Sequence, residues 1–413
     1  MPNVQCTRRA LVSAIALLVS VASASGRARA EDGPATASPP PAITARPESA
    51  APEKKEPPWY ERIRLRGYTQ IRYNRIGATN PHLKNAQGDK SIGDPNGLFI
   101  RRARLVFQSD VTSFLSIYLQ PDFASAIQEA QNFGQMRDWY ADIFLDKEKM
   151  FRIRAGQSKV PYGWELMQSS SNRLPFDRSD GMNSAFLNER DIGGYLMFET
   201  PAVRRRFKHL VDSGLKGSGD FGMVTVGILN GQPLNTRERN DNKHFVARLA
   251  YPFDVGSQTI EVAAGGYTGR FVPSRANEVG GEKEIADLRF HGTFVLYPKP
   301  FGLQVEYNAG YGPERVESSI EKRPLDGGYA MLLWRQKTPV GYMTPYARVH
   351  RYDGGKKFEQ NSPRHEIREL NVGLEWQIQK WIELTTEFMA SERTVDGKRQ
   401  EGRLLRLQLQ FNY

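Results

Sequence analysis

The chain carries a single cysteine, Cys6, among 413 residues, so no disulfide within the chain can hold it together. A domain of this size must then rest on a large core or on a closed, hydrogen-bonded sheet. Beyond residue 30 there is no apolar run of the roughly 20 residues that a spanning helix needs, which excludes a helical membrane protein. Histidine is scarce as well. His82, His209, His244, His291, His350 and His365 show no paired metal-ligand spacing, and His365-Glu366 lacks the second histidine of a zinc-binding helix. No Gly-x-Ser-x-Gly elbow and no Gly-Lys-Ser/Thr phosphate loop occurs, and nothing singles out a pair of acids for glycoside chemistry. We therefore expect no enzyme, no cofactor and no metal site, and the absence of a recognisable binding motif argues against nucleic acid as a partner.

What is present begins with the first residues. Arg8 and Arg9 precede an apolar run from Ala10 to about Ala24, followed by Ala28-Arg29-Ala30, the pattern of a secretory signal peptide over residues 1–30, with cleavage expected after Ala30. Cys6 would leave with it. Residues 31–58, rich in Pro and Ala and poor in large apolar side chains, read as a disordered periplasmic leader. The formal net charge is +11, and removal of Arg8, Arg9, Arg27 and Arg29 still leaves a positive balance. A basic exported protein meets anions, whether lipopolysaccharide, phosphate or a permeating solute.

From Trp59 to Tyr413 the texture changes to segments of about ten residues with period-two alternation. In the first, Ile63, Leu65, Ile71 and Tyr73 share one face, with Arg64, Arg66, Gln70 and Arg72 on the other. In the last, Leu405, Leu407, Leu409, Phe411 and Tyr413 alternate with Arg406, Gln408, Gln410 and Asn412. Hydrophobic residues make up only 39% of the chain, and the mean hydropathy is −0.56. Such an average suits a membrane barrel, in which every second strand residue faces water.

The breaks between segments sort by length. Short ones fall near Asp110 to Thr112, Asp146 to Lys149, Pro252 to Gly256, Pro298 to Pro300, Lys337 to Gly341 and Gln377 to Lys380. Long ones fall near Ile76 to Gly97, Ser125 to Gln135, Lys159 to Glu189, Asn230 to Asn242, Arg270 to Glu284, Tyr311 to Pro324, Asp353 to Pro363 and Arg393 to Gln400. One connection, Thr200 to about Ser218, should be short and is long and basic, with Arg204-Arg205-Arg206 read as a solvated turn or an anion funnel. An even number of strands, sixteen by this count, with short periplasmic turns and long outer loops is the pattern of an antiparallel outer-membrane β-barrel; a sandwich has no reason to sort its loops by length. Trp59 and Tyr60 would sit in an interfacial girdle, and the aromatic end at Tyr413 resembles the recognition signal for barrel assembly.

Several stretches carry a resemblance. Arg66-Gly67-Tyr68-Thr69-Gln70, Arg101-Arg102-Ala103-Arg104-Leu105, Ala155-Gly156-Gln157-Ser158-Lys159-Val160-Pro161-Tyr162-Gly163, Phe176-Asp177-Arg178-Ser179, Asn230-Gly231, Asn240-Asp241-Asn242-Lys243 and Ala247-Arg248-Leu249 resemble, in order and spacing, the phosphate-selective (O/P) porins. The resemblance spans residues 60–413. It implies a homotrimer of sixteen-stranded barrels in the bacterial outer membrane, a third outer loop folded inward as a constriction, and passage of anions, phosphate or polyphosphate among them.

Alternation places Arg64, Arg66, Arg72, Arg102, Arg104, Arg152, Arg154, Arg248, Arg289, Arg348 and Arg406 on lumen faces, with Lys159 at the start of the third loop. Guanidinium stays charged and its fork matches phosphate oxygens, so these are candidate pore-lining, anion-binding residues. Each could instead pair with a lumen acid, the candidates being Asp122, Asp138, Asp142, Glu306, Glu375, Glu383 and Glu387. Closure of the ring would gather Arg406, Arg64, Arg66, Arg102 and Arg104 into a positive stripe over strands sixteen, one and two. The third loop has no lysine between Val160 and Glu189. Its candidate constriction residues are Arg173, Asp177 and Arg178; the two arginines stand against Glu165, Asp177, Asp180 and Glu189, with Lys159 and Arg190 at the edges of the loop. The expected function is passive diffusion of small anions. A non-selective diffusion porin and a plugged structural or surface-binding barrel are the alternatives. Outer-membrane lipid, lipopolysaccharide and further copies of the chain are the expected partners.

Overall fold

A computed structural model describes residues 57–83, 97–127, 130–276 and 279–413. The expected signal peptide, with Cys6 and the cleavage point after Ala30, lies outside the described residues, as does the expected leader apart from its last two residues.

The described chain forms one ring of sixteen antiparallel strands. In order they are β1 (Arg64–Ile76), β2 (Gly97–Asp110), β3 (Leu115–Ile127), β4 (Ala130–Phe144), β5 (Phe151–Lys159), β6 (Arg190–Phe198), β7 (Val224–Leu229) and β8 (His244–Val255). The second half comprises β9 (Gln258–Phe271), β10 (Ile285–Leu296), β11 (Phe301–Val316), β12 (Ser319–Trp334, resuming at Gln336–Thr338), β13 (Gly341–Gly355), β14 (Arg364–Gln379), β15 (Ile382–Val395) and β16 (Lys398–Asn412). Each strand pairs with its neighbours in sequence, and the ring closes where β1 meets β16, with Tyr68 opposite Asn412 and Ile71 opposite Leu409. Closure leaves no open edge, so every strand finds backbone partners on both sides.

Alternation decides which side faces out. Along β8, Phe245, Leu249 and Tyr251 are exposed while His244, Val246, Arg248 and Ala250 are buried. Phe151, Tyr251, Phe301, Trp334, Trp381 and Tyr413 are exposed near strand ends at the short-turn rim, as an interfacial girdle requires. Trp59 and Tyr60 join them on a short 3-10 turn, Trp59–Arg62, ahead of β1.

The connections differ from the sequence expectation in four places. Around Ile127, Val316 and Val395 the paired strands run on almost to the tip, so the residues expected as long loops are largely strand. The polar faces there are still compatible with strand pairing, and turn-forming residues marked these loops too broadly. The connection after β6 differs most. Thr200 caps a helix, α2 (Pro201–Asp212), by accepting from the Val203 N–H, and Pro201 fits the first helical turn. Its buried face, Val203, Phe207 and Leu210, recurs at helical spacing, and a glycine with φ +68, Gly214, turns the chain away after it. The arginine run lies on this helix and not in a turn: Arg204 pairs with Glu199 and Arg206 with Asp254, and Arg205 is exposed.

Closure is tight at Gly67, whose backbone exchanges hydrogen bonds with Tyr413 at 2.6 and 3.0 Å. A Cβ there would meet the Arg104 carbonyl oxygen and the Tyr413 ring. Gly67→Val is expected to separate β1 from β16 and lower the temperature at which the folded, fast-migrating form is lost on unboiled gels. An unchanged transition would show that the seam tolerates the side chain.

Candidate channel lumen

The apolar core of this protein lies inside the ring. The outer loop between β5 and β6, here L3, runs from Val160 to Glu189 and includes a single helical turn, α1 (Asp180–Asn183). Its Val160, Tyr162, Leu166, Leu174, Met182, Ala185 and Phe186 pack against Tyr195, Met197, Val246, Tyr267, Tyr329, Met331 and Tyr346 of the inner wall. Those wall residues belong to β6, β8, β9, β12 and β13. The inner faces of β1 to β5 are polar by contrast, with Gln70, Arg72, Arg102, Arg104, Asp122, Asp138, Asp142, Arg152 and Arg154. Burial of the apolar side of L3 against one half of the wall sets where the loop lies.

Polar contacts fix it around the rest of the ring. On β11, Glu306 accepts from the Trp164 and Glu165 N–H groups at 2.6 and 2.7 Å. On β1 and β16, Gln70 and Gln410 each donate at 3.0 Å to the carbonyls of Ser170 and Ser171. On β15, Glu387 accepts from the Phe176 N–H. The loop thus crosses the lumen and returns.

Most candidate arginines are neutralised. Arg104 pairs with Asp122 at 2.6 Å, Arg154 with Asp142 at 2.8 Å, and Arg152 with Asp220 at 3.0 Å. Arg248 pairs with Glu261, Arg289 with Asp287 and Arg348 with Glu165 of L3. Asp177, expected in the constriction, lies between Arg72 and Arg406, and Arg406 also meets Glu387. Arg178 is held by Glu189. The positive stripe expected over β16, β1 and β2 is therefore largely balanced by L3 and by neighbouring strands. Arg64 and Arg66 are exposed at the short-turn rim, with a 3.8 Å contact from Arg64 to Asp110, a 3.5 Å one from Arg66 to Gln108, and a further hydrogen bond between Arg66 and Tyr118.

Three cations stand apart. Arg102, 3% exposed, donates to the neutral Gln70 at 2.7 Å, and its Nε has no partner. Arg173, 7% exposed, donates to the Phe176 carbonyl, and its Nε and Nη1 have none. Lys159 donates to the carbonyls of Met167 and Gln168. Among the described residues no carboxylate lies within ion-pair distance of any of the three. Arg102 is also within electrostatic range of Arg173, Arg72, Arg101 and Arg104. Two guanidinium groups with open donors and no counter-charge offer what an oxyanion requires.

Other lumen residues were not singled out from sequence. Lys356 and Lys357, in the loop between β13 and β14, point inward and are fully buried. Lys356 meets Asp180 at 2.5 Å, and Lys357 meets Asp287 among the rings of Phe186, Tyr267, Phe271 and Phe358. Burial works against the Asp180 charge, but Lys356 and Arg393 outweigh it and hold the carboxyl well below its ordinary range. A pair of lysines just after Gly354-Gly355 was the available signal. From the other rim, the segment after α2 brings Lys216 to Glu375 at 2.5 Å.

The family described as phosphate-selective porin O and P matches residues 80–413. The chain belongs to that family. It is an outer-membrane porin, so the short turns are periplasmic and the long loops face outward. No curated protein matches it in sequence. Its fold is similar to the outer membrane channel DcaP of Acinetobacter baumannii, at 12% identity and a TM-score of 0.52, over 85% of this chain and 97% of that one. It is similar too to OmpF of Salmonella typhi (13% identity, TM-score 0.51, 85% and 97% covered) and to an anion-selective porin from Comamonas acidovorans (11%, 0.50, 85% and 99%).

Two outcomes follow for the porin. Asp177→Asn leaves Arg72 without its acidic partner in L3, and loss of one member of a buried pair costs about 3–5 kcal/mol; Glu387 softens this for Arg406. Faster protease cleavage within L3 is expected, and an unchanged rate would deny Asp177 its role. At the periplasmic rim, burial and then the nearby Asp220 carboxylate push Glu199 up to about 7, while Arg152 and Arg204 oppose the rise. A raised carboxyl stabilises the fold fully below its ordinary value of 4.5 and loses that contribution as pH rises through about 7. Protease nicking of the β6–β7 connection is therefore expected to quicken as pH rises from about 4.5 to about 7 and to level off above that, in wild type but not in Glu199→Gln.

Proposed function

We propose that this porin is a passive diffusion channel favouring small anions, phosphate and phosphate-bearing solutes among them, and that its preference arises at Arg102 and Arg173. The observation that carries this reading is the pair of buried guanidinium groups with open donors and no carboxylate partner. Most other lumen arginines are matched by acids, so Arg102 and Arg173, with Lys159, are left without a counter-charge on their side of the lumen. Glu306 and Glu383, acids left without one among the described residues, lie on β11 and β15. Their place on β2 and in L3 supports a route along the polar β1 to β5 wall, away from the apolar packing of the loop. An anion there trades hydration for fixed N–H donors, and a few unneutralised sites bind weakly enough to let it leave. Phosphate gains more than chloride because two guanidinium forks can share its oxygens.

A barrel closed at rest is the second reading, favoured by the complete burial of Trp164, Lys356 and Arg406 in mid-lumen. The apolar outer face suits lipid, and outer-membrane lipid and lipopolysaccharide are the expected surroundings. Family membership also suggests a homotrimer. Arg102→Gln with Arg173→Gln is expected to move the reversal potential in a salt gradient toward cations and to abolish block of chloride current by phosphate. Arg152, already matched by acids, serves as the control, because Arg152→Gln with Asp220→Asn should move neither. If the first pair leaves the potential unchanged, anion preference does not arise at these residues.

A further inference from the structure

Periplasmic turns in this barrel are short except one. The β6–β7 connection begins at Glu199 and ends at Met223, and it does not lie outside the mouth. The apolar face of α2, Val203 and Phe207, packs on Ala250 and Ala263, which point into the lumen from β8 and β9 near their periplasmic ends. Leu210 and, beyond the helix, Leu215 cluster with Trp164 of L3 and with Val295 and Tyr297. The helix therefore sits across the mouth on the β8 to β10 side.

The segment after it goes further. Leu215, Lys216 and Ser218 are buried, and Lys216 reaches Glu375 on β14 with both carboxylate oxygens at 2.5 and 2.7 Å. In a ring of sixteen strands in sequence order, β14 lies half-way round from the β6–β7 junction. A chain that leaves the wall between β6 and β7 and bonds to β14 must cross the whole lumen. It is also tied to L3 by its backbone, since Gln168 donates to the Lys216 carbonyl at 2.7 Å and Asn172 to the Gly217 carbonyl at 2.8 Å.

The composition of this crossbar suits a part that can move. Gly214, Gly217 and Gly219 interrupt it, so few large side chains anchor it to the wall between α2 and β7. Among the described residues its ion pair to the far wall is Lys216 with Glu375, a contact whose partners can each be satisfied by water once the segment withdraws.

We propose that the β6–β7 connection is an inner gate of the channel, closed in this conformation, with α2 as its cap and Lys216 on Glu375 as its latch. Solute leaving L3 for the periplasm must pass where the crossbar lies, so withdrawal of the crossbar opens the exit. The proposal rests on the chain conducting ions and is independent of which ions it prefers.

Single-channel recording of the full chain in planar bilayers tests it with two proteins. In the first, residues 200–221 are replaced by a two-residue turn like those at the other periplasmic connections. In the second, Lys216→Cys and Glu375→Cys, in a Cys6→Ser background, are joined by a reducible bis-maleimide that spans the two side chains. The shortened protein is expected to conduct several-fold more current than wild type. The cross-linked protein is expected to conduct several-fold less than the same protein after reduction of the linker, which keeps the test valid if the shortened barrel does not fold. Equal currents before and after reduction overturn the gate and leave the channel standing. Absence of current from every form, the reduced one included, overturns the channel and the gate together.

Discussion

A guanidinium or a carboxylate withdrawn from water is costly unless an opposite charge meets it. That requirement governs the inside of this barrel. The inner faces of sixteen strands bring arginines and acids into a space filled by L3, by the loop carrying Lys356 and Lys357, and by the segment after α2. Each inserted piece arrives with charges that fit the wall it meets: Asp177 at Arg72 and Arg406, Glu165 at Arg348, Asp180 at Lys356 and Arg393, Lys216 at Glu375. The position of L3 is thus set twice, by its apolar side against β6 to β13 and by charge against the opposite wall. Selectivity is left to the few groups this matching omits.

Much of the fold was legible before any coordinates. Period-two alternation is a local property, so the parity that turns Arg72 or Arg406 inward can be read from neighbouring residues alone. The ring, its strand number and the sorting of short and long connections follow from that parity and from turn residues. The site was less legible. Arg102 and Arg104 share a face two residues apart, yet Arg104 meets Asp122 while Arg102 meets only Gln70. Nothing local separates them, because the outcome depends on the register of β3 and on where L3 comes to rest. Asp177 finds Arg406 from far along the chain for the same reason. The helix after β6 is legible in principle, since Val203, Phe207 and Leu210 recur at helical spacing, but three arginines between Val203 and Phe207 give the segment the polarity of a solvated turn.

The barrel and its filling answer to different physics. The ring is held by backbone hydrogen bonds that lipid makes obligatory, whereas the inserts are held by side chains that water could also satisfy. An opening of the lumen therefore need not disturb the ring. This separation lets one chain combine a rigid outer wall with inner parts of lower local stability.

The seam between β1 and β16 has a bearing on how the molecule is made. Residues near the start of the barrel can pair with residues at its end only after the whole chain has been synthesised, and contacts of such long sequence separation form slowly. L3 also takes partners from β1, β15 and β16: Gln70, Glu387 and Gln410. The loop cannot reach its final place until the last strands arrive, so the wall and its contents must mature in the same late event. An assembly factor that keeps the ring open would thereby also hold the interior unfilled, and the order of synthesis becomes a safeguard against a sealed barrel with its loop left outside.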